Sequence, residues 1–184
     1  MQNVATGPLI NRMLGAARLD ANTYEEVEHD QNGTTGALIV VILAAIAAGI
    51  GSIRADGVSG LIAGIVSGIV GWAVFAGFAY FVGTRLIPGR ETSSSWGELL
   101  RTLGFAETPM ILTVFGFIPI LGAIISFVAW VWYVIASVVA LRQALDMSTG
   151  RAIAVGIISI IAEGIVVGII LGILGVAAYG LGAL

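Results

Sequence analysis

Long apolar runs separated by short polar segments are the feature of this chain that most restricts its fold. A helix needs about 20 apolar residues to cross the hydrocarbon core of a bilayer. Of the 184 residues, 58% are hydrophobic and only 10% are charged, too few charges to cover a water-facing surface. The chain is therefore expected to be an integral membrane protein. The predicted spans are about 35–53, 57–83, 96–118, 119–142 and 152–180.

The predicted fold is all-α: a membrane bundle of five transmembrane helices in residues 35–184, preceded by a cytoplasmic segment, residues 1–34. The third span is irregular. Ser95 and Glu98 form a capping box that predicts a helix start, and Pro109 predicts a break near residues 105–109. We interpret this segment as one bent span, with a re-entrant segment as the alternative.

The N-terminal segment is predicted to contain two short helices. Pro8 can open the first, in which Leu9, Ile10, Met13, Leu14 and Ala17 share a face, as in an amphipathic helix lying in the membrane interface. A second capping box, Thr23 with Glu26, predicts the start of the next helix. The segment is interpreted as a solvated lead-in peptide or as a docking surface for a partner.

The arginines predict the orientation of the chain. With five spans, seven of the eight lie on the side of the N-terminus, and only Arg54 lies opposite. Basic residues accumulate in cytoplasmic loops, so the N-terminus is expected in the cytoplasm and the C-terminus outside, most simply in a prokaryotic inner membrane. The seven are Arg12, Arg18, Arg85, Arg90, Arg101, Arg142 and Arg151.

Glycines at four-residue spacing predict close helix packing in the second and fifth spans. In a membrane, helices associate through small residues and interhelical hydrogen bonds, because lipid tails are as apolar as leucine. Packing within the chain and self-association both fit this pattern. The predicted packing residues are Gly60, Gly64, Gly68, Gly164, Gly168 and Gly172.

Glu163 is the only charged residue in the fifth run, roughly 18 Å along the helix from Arg151. A carboxylate at that depth is expected to face the bundle interior and to be paired, protonated or part of a site. Glu107, beside the Pro109 break, is a second candidate, and Arg101 is a cation that could reach either acid. Hydroxyl partners are sought among Ser126, Ser137, Ser159, Tyr80 and Tyr133.

Three interpretations of Glu163 stay open: a protonated tie between two helices, a proton or ion site, and a polar pocket for a ligand or lipid headgroup. No enzyme is predicted, since no catalytic constellation or phosphate-binding glycine loop occurs. With no cysteine and His29 as the only histidine, no metal or cofactor is expected. No basic tract suggests nucleic acid.

The hexapeptide "GFAETP", Gly104 to Pro109, resembles the Gly-Tyr-x-x-x-Pro motif of the Yip family, membrane proteins that interact with Rab-type GTPases. The flanking "WGELLRTLGFAETP" and the lead-in "RLDANTYEEVEHD" are similar to the short prokaryotic members. The matching positions are Gly104, Phe105 and Pro109, with Phe105 in place of the tyrosine. The eukaryotic Asp-Leu-Tyr-Gly-Pro motif is absent.

The resemblance implies a non-enzymatic protein that organises membranes through protein partners, with a small GTPase among them. The first functional hypothesis is thus a scaffold or adaptor of Yip type. It would contact membrane lipids and a membrane-protein partner or a second copy of itself. The alternatives are a small transporter or channel component that uses a buried carboxylate, and an accessory subunit of a larger membrane complex.

Overall fold

The computed structural model describes residues 6–182. Side chains are not described at 6–7, 54–56, 58–60, 62–63, 167–168 and 170–182. All the regular structure within residues 6–182 is helical. The α-helices are α1 (Thr6–Ala17), α2 (Ala21–His29), α3 (Gly33–Phe81), α4 (Trp96–Ala106), α5 (Leu121–Ala144) and α6 (Thr149–Gly182), with a π-helical turn at Val82–Leu86 and a 3-10 helix at Thr108–Phe117.

Helix α3 folds back on itself at Gly57. This residue has φ 64° and ψ −166°, a backbone conformation that essentially only glycine adopts. The two arms, 33–56 and 58–81, lie against each other in antiparallel fashion. A Cβ at Gly68 would stand 3.2 Å from Cβ of Ala45, so small residues hold the arms at close range, as in other membrane helix pairs.

Four stretches within the described residues are long and apolar enough to cross a membrane: Gly33–Ile53, Gly64–Leu86, Leu121–Ala144 and Thr149–Val166. They correspond to the first, second, fourth and fifth predicted spans. The predicted third span is divided between α4 and the 3-10 helix, which meet beside Pro109. The 3-10 helix is apolar but only ten residues long.

The capping box predicted at Ser95 is confirmed. The Ser95 hydroxyl accepts from the backbone N–H of Glu98 at 3.3 Å, and the Glu98 carboxylate accepts from the Ser95 N–H at 2.9 Å. The start predicted at Thr23 is wrong. Helix α2 is capped at Asp20, whose side chain accepts from the Asn22 N–H, and aspartate is a preferred N-cap residue. The Thr23 hydroxyl donates to the same carboxylate, so Thr23 supports this cap from inside the helix.

The chain reverses direction between the 3-10 helix and α5 through a tight turn at Ile120. The Leu121 N–H donates to the Pro119 carbonyl at 2.7 Å, and Ile120 has φ 64° and ψ −58°. These are the features of a γ-turn of the strained type. Helix α5 therefore starts at Leu121 rather than at Pro119, where the sequence suggested.

Helices α1 and α2 form a hairpin that packs onto the bundle. Arg12 of α1 makes ion pairs with Glu26 at 2.8 Å and Asp30 at 2.7 Å. Tyr24 is fully buried, and its hydroxyl donates to the Ala16 carbonyl. Trp132 of α5 donates to the Ala17 carbonyl at 2.8 Å, which satisfies a free carbonyl at the end of α1.

The buried face of α1 differs from the predicted one. Leu9 and Met13 pack against the core and Ala16 is fully buried. Ile10 and Leu14 are about half exposed, at 53% and 49%. The predicted apolar face of α1 is thus divided. One part packs on the bundle, and the part that contains Ile10 and Leu14 faces outward, where it remains available for the predicted contact with the membrane interface.

Helix α4 lies at the centre of the bundle. Its residues Leu99 and 101–106 are all buried, and it packs against α2, α3 and α5. The residue following this helix, Glu107, is consequently held inside the assembly of helices, where its carboxylate meets side chains from three of them.

Candidate functional site

Glu107 and Glu163 line one cavity of about 220 Å³. The structure thus brings together the two acids that the sequence singled out, from the end of α4 and from α6. Tyr133, one of the suggested hydroxyl partners, lines the same cavity from α5. The remaining lining residues come from the second arm of α3: Ser67, Gly68, Gly71, Trp72 and Phe75.

Glu163 approaches the second arm of α3 at Gly71. A Cβ at Gly71 would stand 3.1 Å from Oε1 of Glu163, closer than most real Cβ contacts. A glycine at residue 71 therefore gives this carboxylate room to enter the space between α3 and α6. The rest of α6 packs loosely against the bundle, since only 17% of residues Thr149–Val166 is buried.

Glu107 is positioned by the change of helix type. Its N–H donates to the Gly104 carbonyl and its own carbonyl accepts from Met110, the bonds of a tightened turn. The side chain is partly buried and lines the cavity. Among the described residues, neither the Glu107 nor the Glu163 carboxylate has a hydrogen bond or ion pair, so the two acids face the cavity without a protein partner.

The aromatic wall of the cavity is fixed in place. Trp72 and Phe75 are 8% and 6% exposed. The indole N–H of Trp72 donates to the Leu100 carbonyl of α4 at 3.0 Å, which holds the ring against that helix. Tyr133 completes the aromatic lining from α5.

Arg101, the suggested partner of the acids, lies elsewhere. Its Nε donates to the carbonyls of Val27 and Glu28, both at 3.0 Å, and a terminal guanidinium nitrogen also donates to Glu28. Arg101 is 7% exposed. Through these hydrogen bonds it caps the C-terminal end of α2. A cation is favourable there because the last carbonyls of a helix carry partial negative charge.

A further buried carboxylate, Glu28, stands beside this contact and was not predicted. It is 6% exposed, and its Oε2 has no hydrogen-bond partner among the described residues. Burial, reinforced by the negative charge of Glu25, raises the pKa of Glu28 to about 7. Glu28 is one of several acidic residues in α2, and the sequence alone does not indicate which of them faces inward.

The other suggested hydroxyl residues do not line the acid cavity. Ser159 is fully buried on α6, and its Oγ has no hydrogen-bond partner among the described residues. Ser137, on α5, is also buried, and its hydroxyl lies near that of Tyr133. Tyr80 packs partly against the core, and Ser126 lies in α5 outside the cavity wall.

The motif residues are packing residues in this structure. A Cβ at Gly104 would stand 2.7 Å from Cβ of Ala37, so α4 and the first arm of α3 touch at this glycine. Phe105 is fully buried and its ring lies beside Gly36. Pro109 is buried in the first turn of the 3-10 helix. Together they fix the geometry that directs Glu107 inward.

The glycines predicted for packing have different surroundings. Gly68 contacts Ala45, as described above, whereas Gly64 and Gly164 have no described atom within 4 Å of a Cβ position. Gly60, Gly168 and Gly172 lie outside the residues whose side-chain surroundings are described. The closest backbone approach to the 3-10 helix is instead at Gly51, whose Cα would be 3.2 Å from a Cβ at Gly116.

The described residues contain no group of three or more acidic, histidine or cysteine side chains that could hold a metal ion. His29 is exposed at the end of α2, with Nδ1 2.9 Å from the Glu25 carbonyl. This backbone contact, and after it the negative charges of nearby acids, raise the pKa of His29. His29 thus lies at the surface of the hairpin, away from the acid cavity.

Comparison with known protein families gives a match over most of the chain. The model of the Yip1 domain family matches residues 20–172, which include α2, both arms of α3, the motif segment, α5 and the described part of α6 that carries Glu163. No curated protein sequence and no solved structure gives a significant match. The match covers most of the chain and agrees with the resemblance carried by Gly104, Phe105 and Pro109. The chain is a membrane protein that belongs to the Yip1 domain family.

Proposed function

We propose that this protein is a non-enzymatic membrane scaffold or adaptor that organises a membrane-protein partner, or copies of itself, through helix–helix contacts. The observation that carries the proposal is the outer face of α6. Gly164 is exposed between Ile161 and Ile165, which are 56% and 58% exposed. A glycine with open space above it on an apolar helix allows a second helix to approach closely.

The proposed topology has five crossings. Helix α4 is about 16 Å long and the 3-10 helix about 20 Å long, from their rises per residue. Joined beside Pro109, the two reach the roughly 30 Å that a crossing requires. This broken third crossing would bring Glu107 to the interior of the membrane.

The proposed orientation has a cytoplasmic N-terminus and an external C-terminus in a prokaryotic inner membrane. The support is the distribution of arginine, seven on the side of the N-terminus and Arg54 opposite. The hairpin of α1 and α2 then lies on the cytoplasmic side. A second copy or a membrane protein is proposed as partner in preference to a small GTPase, since the Asp-Leu-Tyr-Gly-Pro motif is absent.

The scaffold proposal is tested by crosslinking in native membranes. The chain has no cysteine, so Gly164→Cys introduces a single reactive thiol on the proposed contact face. Ala129→Cys, at a fully buried position, is the control. A dimer or one stoichiometric adduct from Gly164→Cys, lost when Gly168→Leu is added, is expected. A wholly monomeric Gly164→Cys protein contradicts the proposal.

The acid cavity favours a second candidate function, a small transporter or channel component that moves a proton or ion. Two acids in one cavity inside a membrane bundle are the kind of arrangement that such proteins use. In proteoliposomes, Glu163→Gln should abolish flux and leave the fold intact. Absence of flux by the unsubstituted protein contradicts this second candidate.

A further inference from the structure

A second, larger cavity adjoins the acid cavity. It is a crevice of about 530 Å³ between α5 and α6, and it shares Phe75 and Tyr133 with the acid cavity. Its walls are almost entirely apolar, and the buried Ser137 hydroxyl is a polar group among them. The apolar walls include Val134, Val138, Ile153, Ile157 and Ile160. The two cavities thus meet at the side chains of Phe75 and Tyr133, with the two acids on one side and the apolar crevice on the other.

Among the residues whose side chains are described, no positively charged group pairs with the two acids. The buried guanidinium nearest in sequence to Glu107, that of Arg101, is directed to α2. Glu107 is partly buried and lines the cavity, and no described hydrogen bond or ion pair reaches it or Glu163. A buried carboxyl is either paired or held neutral, and in their ionised form these two acids are complementary to a ligand that carries positive charge.

The lining distinguishes an organic cation from a metal ion. The described residues offer only two carboxylates here, and no group of three or more acidic, histidine or cysteine side chains that could hold a metal ion. The volume is several times the roughly 30 Å³ of a water molecule. Aromatic rings beside carboxylates are the usual surroundings of ammonium ligands, because the negative ring face attracts the cation. Trp72, Phe75 and Tyr133 supply these rings.

We infer that the acid cavity and the α5–α6 crevice together bind an amphiphilic amine, with its ammonium head between Glu107 and Glu163 and its alkyl chain along α5 and α6. A single-chain amine fits better than a zwitterionic phospholipid, whose phosphate would lie next to two acids. This inference is independent of the scaffold proposal and requires no transport, because it concerns binding alone.

Binding is measured on the full chain in phosphatidylcholine nanodiscs, with decylammonium as the probe and calorimetry or Trp fluorescence as the readout. Empty nanodiscs correct for partition into lipid. Saturable binding of decylammonium is expected, at least ten-fold tighter than that of decanol or butylammonium. Glu107→Gln and Glu163→Gln should each weaken it about ten-fold, since each removes one charge-assisted contact.

Control variants distinguish binding at the cavity from nonspecific attraction of the cation to acidic residues elsewhere. Glu91→Gln, at an exposed loop position, should leave the affinity unchanged. Gly156→Leu fills the crevice wall and should weaken decylammonium more than butylammonium. If the glutamine variants do not fold, the relative affinities of the unsubstituted protein for decylammonium and decanol still test the inference. Equal affinity for decylammonium and decanol, or binding that persists at full strength in both folded glutamine variants, overturns the inference.

Discussion

Glu107 and Glu163 line the same cavity, although one follows α4 and the other lies in the middle of α6. The meeting depends on two local features. The α-helix stops at Ala106 beside Pro109, which turns Glu107 inward, and Gly71 leaves space for the Glu163 carboxylate. The acid pair is thus produced by a change of helix type and by one missing side chain.

The first prediction concerns the contact of α4 with α3. Gly104→Ala places a methyl group 2.7 Å from Cβ of Ala37 and should lower the free energy of unfolding by about 1–3 kcal/mol, as overpacking does. Thermal or SDS unfolding of the purified protein measures this. Adding Ala37→Gly should restore part of the loss, because the two positions share the contact.

The same change at Gly64 is the matched control. No described atom lies within 4 Å of a Cβ there, and alanine is favoured over glycine in a helix by roughly 1 kcal/mol. Gly64→Ala should therefore be neutral or stabilising. Equal destabilisation by Gly64→Ala and Gly104→Ala would show that the tight contact at Gly104 does not exist.

The second prediction concerns Arg101. Arg101→Leu removes the donors to Val27 and Glu28 and should release α2 from the bundle, a loss of about 1–3 kcal/mol for carbonyls left buried and unpaired. Arg101→Lys should lose part of this, since an ammonium cannot donate in the same fork. Hydrogen exchange of the α2 amides measures the effect. Arg151→Leu, at an exposed position, should leave that exchange unchanged.

The third prediction concerns pH. In the folded protein the pKa of Glu28 is about 7, whereas its ordinary value is 4.5. Below the ordinary value the carboxyl is neutral whether α2 is docked or free, so docking is unaffected. As pH rises toward 7 the free form ionises first, and docking is weakened. Exchange of α2 amides, corrected for intrinsic rates, should be faster at pH 8 than at pH 5.

Other charged groups near Glu28 also contribute to the pH dependence, so the experiment needs control variants. Glu25, Glu98 and Asp146 add negative charge around Glu28, and the His29 cation offsets part of it. His29 has a raised pKa, so its stabilising charge is also lost as pH rises. Glu28→Gln should flatten the pH profile, while His29→Gln should leave most of the slope. An unchanged slope in Glu28→Gln would assign the effect to other groups.

The fourth prediction concerns the turn before α5. Ile120 has φ 64° and its side chain is 83% exposed. A β-branched residue is strained in this conformation, and glycine is not. Ile120→Gly should raise the free energy of unfolding by about 1 kcal/mol. A lower melting temperature for Ile120→Gly would mean that the turn does not form in the membrane.

The apolar runs, the capping box at Ser95 and the two buried-acid candidates could be predicted from the sequence, because burial cost and helix capping act locally. The contacts of Arg101 could not. A buried arginine satisfies whichever carbonyls lie nearest, and the docking of α2 beside α4 is a tertiary arrangement. Because Arg101 is close to Glu107 in sequence, the sequence suggested a carboxylate as its partner, whereas its partners are backbone carbonyls.

The glycine patterns show the same limit. Gly64 belongs to a four-residue repeat, yet it faces open space among the described residues, whereas Gly104 and Gly51 make close contacts without such a repeat. Spacing places small residues on one face of a helix, but the neighbouring helix decides which of them is covered. The spans predicted at 35–53 and 57–83 imply a reversal between them, but they do not reveal the single backbone conformation at Gly57 that makes it.

The meeting of the two acids is tested most directly by crosslinking Glu107→Cys with Glu163→Cys in native membranes, using a short bifunctional thiol reagent. Cleavage at a protease site placed in the loop between α5 and α6 then separates the two cysteines into different fragments. The fragments should stay joined on a denaturing gel, whereas those of Glu107→Cys with Ile165→Cys, which faces outward, should separate. Separation of both pairs would contradict a shared cavity for Glu107 and Glu163.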